Sequence, residues 1–334
     1  MKRNKLDSLI LLRAIAVIAV CFCHFGYPLY AENAYNDLFV FFYDYGKYGV
    51  QIFFVVSGFV IPLSLYMGRY SIEYYFRFLL KRLLRLHPPY LAALALTLLI
   101  SFFSYKIRGI NYPETVESII ASLFYFHFPD DNPVFWTLAV EAEYYLFIGL
   151  LYTIIVKLPR TYILVFTPIL ILIGQSQLID YILFFSYIVY FLIGIIGFMI
   201  YTNQGSKILN TIALISLLPL TYVVYGATEA LVASVTIGFI LGYQGSIGKL
   251  PNFIGEISYS FYLIHFPLGI KFINLLNPYF SPVNKWILFL LTILVTTLLA
   301  WIFYRTFEKP FAKLSTKIKY TFSTSSHPVL EPET

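Results

Sequence analysis

Long apolar runs recur from one end of this 334-residue chain to the other, and they constrain the fold more than any other feature. A helix needs about 20 apolar residues to cross a bilayer. Charged residues make up 12% of the chain, about half of the fraction typical of soluble domains, and hydrophobic residues make up 59%. We therefore predict an all-α, polytopic integral membrane protein, with a transmembrane domain at 1–314 and a cytoplasmic tail at 315–334.

Ten segments of the sequence are apolar enough to be read as membrane helices. Their approximate bounds are 9–29, 47–67, 86–105, 136–156, 161–175, 181–201, 208–225, 229–243, 257–276 and 285–305. The segments near 161, 208 and 229 are short or closely spaced, so their boundaries are the weakest. About ten transmembrane helices are expected, and an even number places both termini on the same side.

The distribution of positive charge predicts which side that is. With the N-terminus in the cytoplasm, 17 of the 23 Lys and Arg residues fall on the cytoplasmic side and five fall on or near the outer side, while Arg13 lies within the membrane. Both termini are therefore predicted to be cytoplasmic. The net charge of +6 is explained by this asymmetry, so membrane lipid is an expected partner and nucleic acid is not.

The two ends of the chain are predicted to differ in structure. The start, MKRNK before an apolar run, resembles a secretory signal, but Arg13 within that run and the lack of a clear cleavage site predict a retained first helix. The tail from 315 is polar and rich in Ser and Thr, so it is predicted to be disordered.

Arg13 and His24 are polar residues inside the first apolar segment, RAIAVIAVCFCH (13–24). Eleven positions on a helix leave them about 20° apart around the axis and about 16 Å apart along it, so they share one stripe. Each residue alone has an ordinary explanation, since an arginine can extend to the inner headgroups and a histidine can bond at the outer boundary. Their shared stripe favours a functional role instead.

A carboxylate is expected at the same depth as His24. The segment WTLAVEAEYYLF (136–147) opens a helix from the outer side, which places Glu141 about one and a half turns into the membrane. A carboxylate beside an imidazole fixes its tautomer and raises its basicity. Glu143 is interpreted as an interfacial residue beside an aromatic belt.

A basic stripe lies at the cytoplasmic side of the third segment, in RFLLKRLLRLHPPY (77–90). Arg77, Lys81 and Arg85 recur every four residues, and Arg82 adjoins them. Arg77 is expected to meet anionic lipid headgroups. The others, beside a helix start broken by prolines, have the chemistry to bind the phosphates of a nucleotide-containing donor.

Two further motifs have a structural interpretation. FFVVSGF (53–59) puts Ser57 and Gly58 inside a membrane helix, where small residues serve close packing, so a catalytic serine is not favoured. ISYSFYLIHFPL (257–268) puts His265 just before Pro267. This histidine is either a second site residue or a buried side chain bonded to a carbonyl that the proline frees, and the second interpretation is favoured.

Taken together, these segments resemble the acyltransferase family 3 proteins, integral membrane enzymes that acylate extracytoplasmic glycans and related acceptors. Arg13 and His24 match the family's pattern of an arginine, ten residues and a histidine. The remaining matches follow in the family's order along nearly the whole chain: FFVVSGF, KRLLRLHPPY (81–90), WTLAVEAEYY (136–145), ISYSFYLIHFPL and FEKPF (307–311). Two positions depart from the pattern, because Thr137 stands where serine is commoner and Ala142 where a second acidic residue is common.

The resemblance implies an O-acyltransferase that uses an acyl-CoA, usually acetyl-CoA, from the cytoplasm and a hydroxyl of a cell-surface polysaccharide or its lipid-linked precursor. Lys81, Arg82 and Arg85 are then expected to bind the CoA phosphates. Arg13 would stabilise the donor or the backbone within the channel. His24, assisted by Glu141, would remove the hydroxyl proton or carry the acyl group itself. No metal is expected, and the expected location is the plasma (inner) membrane.

The main alternative is a transporter or flippase for a lipid-linked sugar, in which Arg13 binds a phosphate. The sequence shows no internal repeat, which weighs against transporters built from inverted repeats. A polysaccharide polymerase is a third possibility, although the longest predicted outer loop, about 106–135, is modest for that class.

Overall fold

The computed structural model describes residues 3–29 and 37–320, with side chains from residue 7 onward. The chain is 84% helical, and no strand occurs among the described residues, which confirms the all-α prediction. The helices, in chain order, are α1 (Arg3–Gly26), α2 (Asp37–Gly46), α3 (Gly49–Met67), α4 (Tyr75–Arg108), α5 (Val116–Leu123), α6 (Trp136–Lys157), α7 (Pro159–Ile173), α8 (Ile188–Tyr201), α9 (Lys207–Tyr225), α10 (Ala227–Gly242), α11 (Lys249–Glu256), α12 (Ser258–Ile264), α13 (Lys271–Leu276), α14 (Lys285–Phe303) and α15 (Lys309–Ser315).

Seven helical spans in the described part of the chain are long and apolar enough to cross a membrane. They are Asp7–Leu29, Asp37–Met67, Ile72–Arg108, Pro133–Lys157, Leu183–Tyr201, Lys207–Tyr225 and Pro282–Ser315. Each overlaps one of the ten predicted segments, so the protein is a multi-pass membrane protein. The other three segments are helical but shorter (α7 and α10) or interrupted (α12 and α13), so a count of ten crossings stays a prediction.

Helix α1 lies at the centre of one half of the bundle, which gives its polar residues several neighbours. It packs against α2, α3, α11 and α12. Helix α3, which follows α2 almost directly, makes its most extensive contact with α8. The sequence order therefore brings the N-terminal helix against the segment near residue 260, far away in the chain.

Helix α4 is longer than predicted and is not broken by its prolines. It has 34 residues, so it is about 51 Å long, and the basic stripe 77–85 belongs to the same helix as the apolar segment 86–105. Pro88 and Pro89 lie inside it. In a membrane, neighbouring helices bond to backbone groups near such prolines. The Tyr259 hydroxyl does so here, donating to the Leu86 carbonyl over 2.8 Å.

The connection between α4 and α6 folds back onto the bundle and fixes the start of α6. The amide of Asn132 donates to the Thr97 hydroxyl and to the Leu263 carbonyl, each over 3.1 Å. Beside it, the Lys271 ammonium lies 2.7 Å from the Asp131 carboxylate. These contacts join three separate parts of the chain just before Trp136, where α6 begins.

Glycine allows a close helix contact between α3 and α8. A Cβ on Gly194 would lie 2.3 Å from the Val55 carbonyl oxygen, and a Cβ on Gly58 would lie 2.4 Å from that of Phe191. Both contacts are with backbone, which cannot rotate away. The packing interpretation of Gly58 is therefore confirmed, since small residues let membrane helices approach closely.

Gly194→Ala should therefore separate α3 from α8 and destabilise the fold by about 1–3 kcal/mol. The measurement is thermal unfolding of the purified protein in detergent. Gly238→Ala is the matched control, because no atom lies within 4 Å of its added methyl group and alanine is the better helix former. Equal unfolding temperatures for the two variants would contradict the close-contact argument.

Candidate active site

A cavity of about 290 Å³ lies where α1, α3, α4, α6 and α12 meet, close to the lower end of the size range of small-molecule sites. Its lining includes four of the six residues predicted for the site, which the structure thus brings together from three helices: Arg13, Arg82, Arg85 and Glu141. Arg13 and Glu141, which are 128 positions apart in the sequence, both line this cavity. The two remaining predicted residues, His24 and Lys81, do not line it.

The three arginines approach the cavity from α1 and from one face of α4. Arg82 is buried, with an exposed fraction of 7%, and donates to the Ser64 hydroxyl over 3.1 Å. Its guanidinium also lies 5.6 Å from the ring centre of Tyr145 and 5.6 Å from that of Phe78. These contacts hold the long side chain in one orientation.

Positive charge predominates in the cavity. Arg13 and Arg85 form no ion pair within 4.0 Å in the part of the chain that the structure describes. Glu308 is buried close enough to interact electrostatically with both, but its carboxylate accepts from the backbone N–H and the hydroxyl of Ser260, over 3.0 Å and 2.6 Å. The two guanidinium groups therefore keep donors for an anionic ligand.

Glu141 belongs to this cavity rather than to His24. Its carboxylate accepts a hydrogen bond from the Tyr145 hydroxyl, and the Ser57 hydroxyl lies 3.5 Å away. Glu141 therefore anchors the ring on which Arg82 rests. The expected contact with His24 is not found, because this face of α6 looks towards α3 and α4 while His24 projects from α1 towards the turn that follows α12.

His24 lies next to His265 instead. The two ring centroids are 5.3 Å apart, and the ring of Phe266 is 5.2 Å from that of His24. His265 is 5.6 Å from Tyr262, which lines the cavity. Tyr262 thus stands between the cavity and the two histidines.

Tyr262 and Phe53 form an aromatic pair, with centroids 6.0 Å apart, and both contribute to the cavity wall. Hydroxyl groups fix the tyrosine, because Thr137 donates to it over 2.8 Å and it donates to the Val134 carbonyl over 2.9 Å. Thr137 therefore supplies a hydroxyl at the position where the related motif more often has serine.

A second cavity, of about 400 Å³, adjoins the first between α4 and α6. The two share Arg82, Glu141 and Tyr145 in their walls. The rest of the second cavity is mainly leucine, and Leu83 and Leu146 on its rim are about half exposed. On a membrane helix such faces meet hydrocarbon, so the charged cavity adjoins a cleft that faces lipid.

Lys81 and Arg77 lie away from the cavity. The Lys81 ammonium is 4.7 Å from the ring centre of Tyr320, and the Arg77 guanidinium is 5.4 Å from that of Tyr74. Tyr320 is buried although it falls within the tail predicted to be disordered. The remainder of that tail, from 321, lies outside the described residues.

Glu143 has a structural contact that agrees with its assignment outside the site. Its carboxylate accepts a hydrogen bond of 2.6 Å from the backbone N–H of Phe184. This bond ties α6 to the turn Leu183–Tyr187 that precedes α8. Two carboxylates on one helix, two positions apart, therefore have different surroundings.

The sequence interpretation missed several cavity residues. They are Ser57, Tyr145, Tyr259, Tyr262 and Glu308. Glu308 had a signal, since a carboxylate within a long apolar helix is costly and usually functional. The tyrosines lie within the motifs 136–145 and 257–268, but 30 tyrosines are spread along the chain and their spacing does not distinguish the few that face a cavity.

Comparison with known proteins assigns the family. A family model described as an acyltransferase domain matches residues 6–305, which include every residue of the cavity except Glu308. No curated protein and no solved structure matches the chain. The match covers far more than half of the sequence. The chain therefore belongs to the acyltransferase family 3 and is a membrane acyltransferase.

Proposed function

We propose that this acyltransferase moves an acetyl group from acetyl-CoA to a hydroxyl of a cell-surface polysaccharide or of its lipid-linked precursor. The observation that carries the proposal is the cluster of Arg13, Arg82 and Arg85 around one cavity, none of them in an ion pair within 4.0 Å among the described residues. Guanidinium groups bind phosphates through paired N–H donors, and CoA is rich in phosphate.

The donor is proposed to enter from the cytoplasm along α4. Lys81 directly precedes Arg82 on this helix and lies one turn before Arg85, and both arginines line the cavity. Lys81 then contributes to attracting the donor, while the two arginines hold its phosphates. Arg13 and Glu308 would orient the part of the donor nearest the reacting group. This order matches the predicted topology, in which the basic end of α4 is cytoplasmic.

His24 is proposed to supply the chemistry. Its imidazole would take the proton of the acceptor hydroxyl while the hydroxyl oxygen attacks the thioester carbon. The carbon–sulfur bond breaks, the new ester forms, and the CoA sulfur receives the proton from the imidazolium. A route through an acyl-histidine uses the same residue as nucleophile. In either route Tyr262 must shift, because it separates the cavity from His24.

The acceptor is proposed to approach from the outer side, and the enzyme to lie in the plasma (inner) membrane. The predicted topology places His24 towards the outer side of the membrane, where an acceptor that still carries its membrane anchor would reach it. Mass spectrometry of surface glycans from cells with and without the gene tests this. A mass loss equal to one acyl group in the deletion strain identifies both the group and the acceptor.

Labelled acetyl-CoA distinguishes the proposal from the transporter or flippase alternative. The purified enzyme, incubated with acetyl-labelled acetyl-CoA and a membrane extract of acceptor lipids, should release CoA and label the extract. A flippase should neither bind nor consume acetyl-CoA, so lack of binding at saturating donor would reject the proposed donor.

Glu141→Ala should raise KM for acetyl-CoA by about 10- to 100-fold, the range expected when a charged hydrogen-bond partner is lost. The reason is that Tyr145 loses its anchor and Arg82 its fixed orientation. Steady-state kinetics with varied donor measures the effect. Glu143→Ala is the control, expected to lower stability through its lost bond to Phe184 while KM is retained. A lower kcat at unchanged KM in Glu141→Ala would instead assign Glu141 to His24.

A further inference from the structure

His265 begins an irregular turn of the backbone, and its side chain is well anchored. It opens the π-helical turn His265–Ile270 between α12 and α13, and its side chain is completely buried. Its Nδ1 lies 2.7 Å from the Tyr262 carbonyl oxygen. Since a carbonyl oxygen only accepts, Nδ1 carries the hydrogen, and in the neutral ring Nε2 is then an acceptor.

That acceptor has no hydrogen-bond partner among the described residues. A buried acceptor without a partner is unfavourable, and in native structures it usually has a reason. The rings around His265 include those of Phe25, Tyr262 and Phe266, at centroid distances of 6.2, 5.6 and 6.4 Å. His24 is closer than any of these, at 5.3 Å, and it is the neighbouring ring that carries N–H groups when protonated.

We propose that His265 is a positioning residue for His24, with its Nε2 accepting a hydrogen bond from the His24 imidazolium during acyl transfer. The inference rests on the proposed function, because it requires His24 to gain a proton. At the present centroid distance a small ring rotation brings the two nitrogens within hydrogen-bond range. His265 remains neutral, with one hydrogen on Nδ1 throughout. The proton taken from the acceptor hydroxyl stays on His24 until the CoA sulfur receives it.

Both nitrogens of His265 then have separate tasks. Nδ1 fixes the tautomer and the ring direction through Tyr262, and Nε2 faces the reacting histidine. A bond from one imidazole nitrogen commonly sets the chemistry of the other in this way. A purely structural histidine at this position would need only the bond from Nδ1.

Two variants separate these possibilities. In His265→Asn the side-chain N–H can replace Nδ1–H as donor to the Tyr262 carbonyl. The variant has no acceptor at the position of Nε2. In His265→Gln the longer side chain brings its carbonyl oxygen near the place of Nε2. Initial rates with labelled acetyl-CoA, varied in concentration, and thermal unfolding in detergent are measured for both variants, for the wild-type enzyme and for His24→Ala.

We expect His265→Asn to unfold at nearly the wild-type temperature and to lose about 10- to 100-fold in kcat at unchanged KM for acetyl-CoA, as when the residue that orients a reacting imidazole is lost. His265→Gln should retain more activity than His265→Asn. In the His24→Ala background, His265→Asn should cause no further loss, because residues that act as a unit are not additive.

Wild-type kcat in His265→Asn, or a lower unfolding temperature that accounts for the activity lost, would overturn the inference. So would a further rate loss in the double variant. None of these results affects the proposed function, which fails separately if the wild-type enzyme does not consume acetyl-CoA.

Discussion

His24→Ala is expected to reduce kcat for acyl transfer by about 10²- to 10⁴-fold, the contribution typical of a positioned general base. The variant removes the imidazole that is proposed to take the hydroxyl proton, and it leaves His265 and Phe266 beside an empty position. The arginine cavity lies beyond Tyr262 and should be unaffected, so binding of acetyl-CoA should stay at the wild-type level. Single-turnover release of CoA measures the chemical step, and equilibrium binding of the labelled donor measures the cavity.

His127→Ala is the matched control for that experiment. His127 lies in the connection between α4 and α6, 2.9 Å from the Glu114 carboxylate and away from the cavity. It should leave transfer unchanged. Normal transfer by His24→Ala at equal expression would refute the assignment of the base, and lost donor binding in His24→Ala would show that the two regions are not separate.

Arg85→Gln should weaken the binding of acetyl-CoA and raise its KM by about 10- to 100-fold. The reason is that a hydrogen bond to a charged group contributes about 1.5–3 kcal/mol. The structure gives Arg85 no ion-pair partner among the residues it describes, so the protein itself should lose little stability. A comparison of CoA with 3′-dephospho-CoA as competing ligands assigns the contact. If Arg85 binds the 3′-phosphate, the wild-type preference for CoA should largely disappear in the variant.

Arg77→Gln removes the same charge from the same helix, two turns earlier. Arg77 does not line the cavity and its guanidinium packs near Tyr74. KM should change by less than about threefold, through the general field of the cytoplasmic surface alone. If Arg85→Gln and Arg77→Gln weaken donor binding equally, the two arginines act through surface charge and Arg85 is not part of a binding site.

The polar residues within apolar helices were the part of the site that could be predicted from sequence. Arg13 and Glu141 stand out because a charge in such a helix is costly, and the structure places both at one cavity with Arg82 and Arg85. Helical periodicity gives the stripe on which a residue lies. It does not give the neighbour that the stripe faces, which is why Glu141 was matched to His24 by depth and is found instead beside Tyr145 and Ser57.

The interruption of the helix between α12 and α13 was also not predicted, although its cause is visible in the sequence. Pro267 lacks a backbone N–H, and the chain accommodates it by widening into the π-helical turn His265–Ile270. This turn presents His265 to His24, a neighbour 241 positions away in sequence. Apolar runs were sufficient to predict the seven long spans, because composition alone decides what a bilayer accepts.

The aromatic pair of Phe53 and Tyr262 also bears on how this enzyme avoids leaking ions across the membrane. A protein that receives one substrate from each side risks becoming a pore, and the membrane potential drives each leaking charge with about 2.3 kcal/mol per 100 mV. The two rings pack at the cavity wall on the side of the two histidines, and the Thr137 hydroxyl holds the tyrosine there, so this pair would restrict water and ions between the arginines and His24. With the proposed thioester donor in the cavity, the same closure would protect it from hydrolysis, so one contact would serve both the insulation of the membrane and the preservation of the donor.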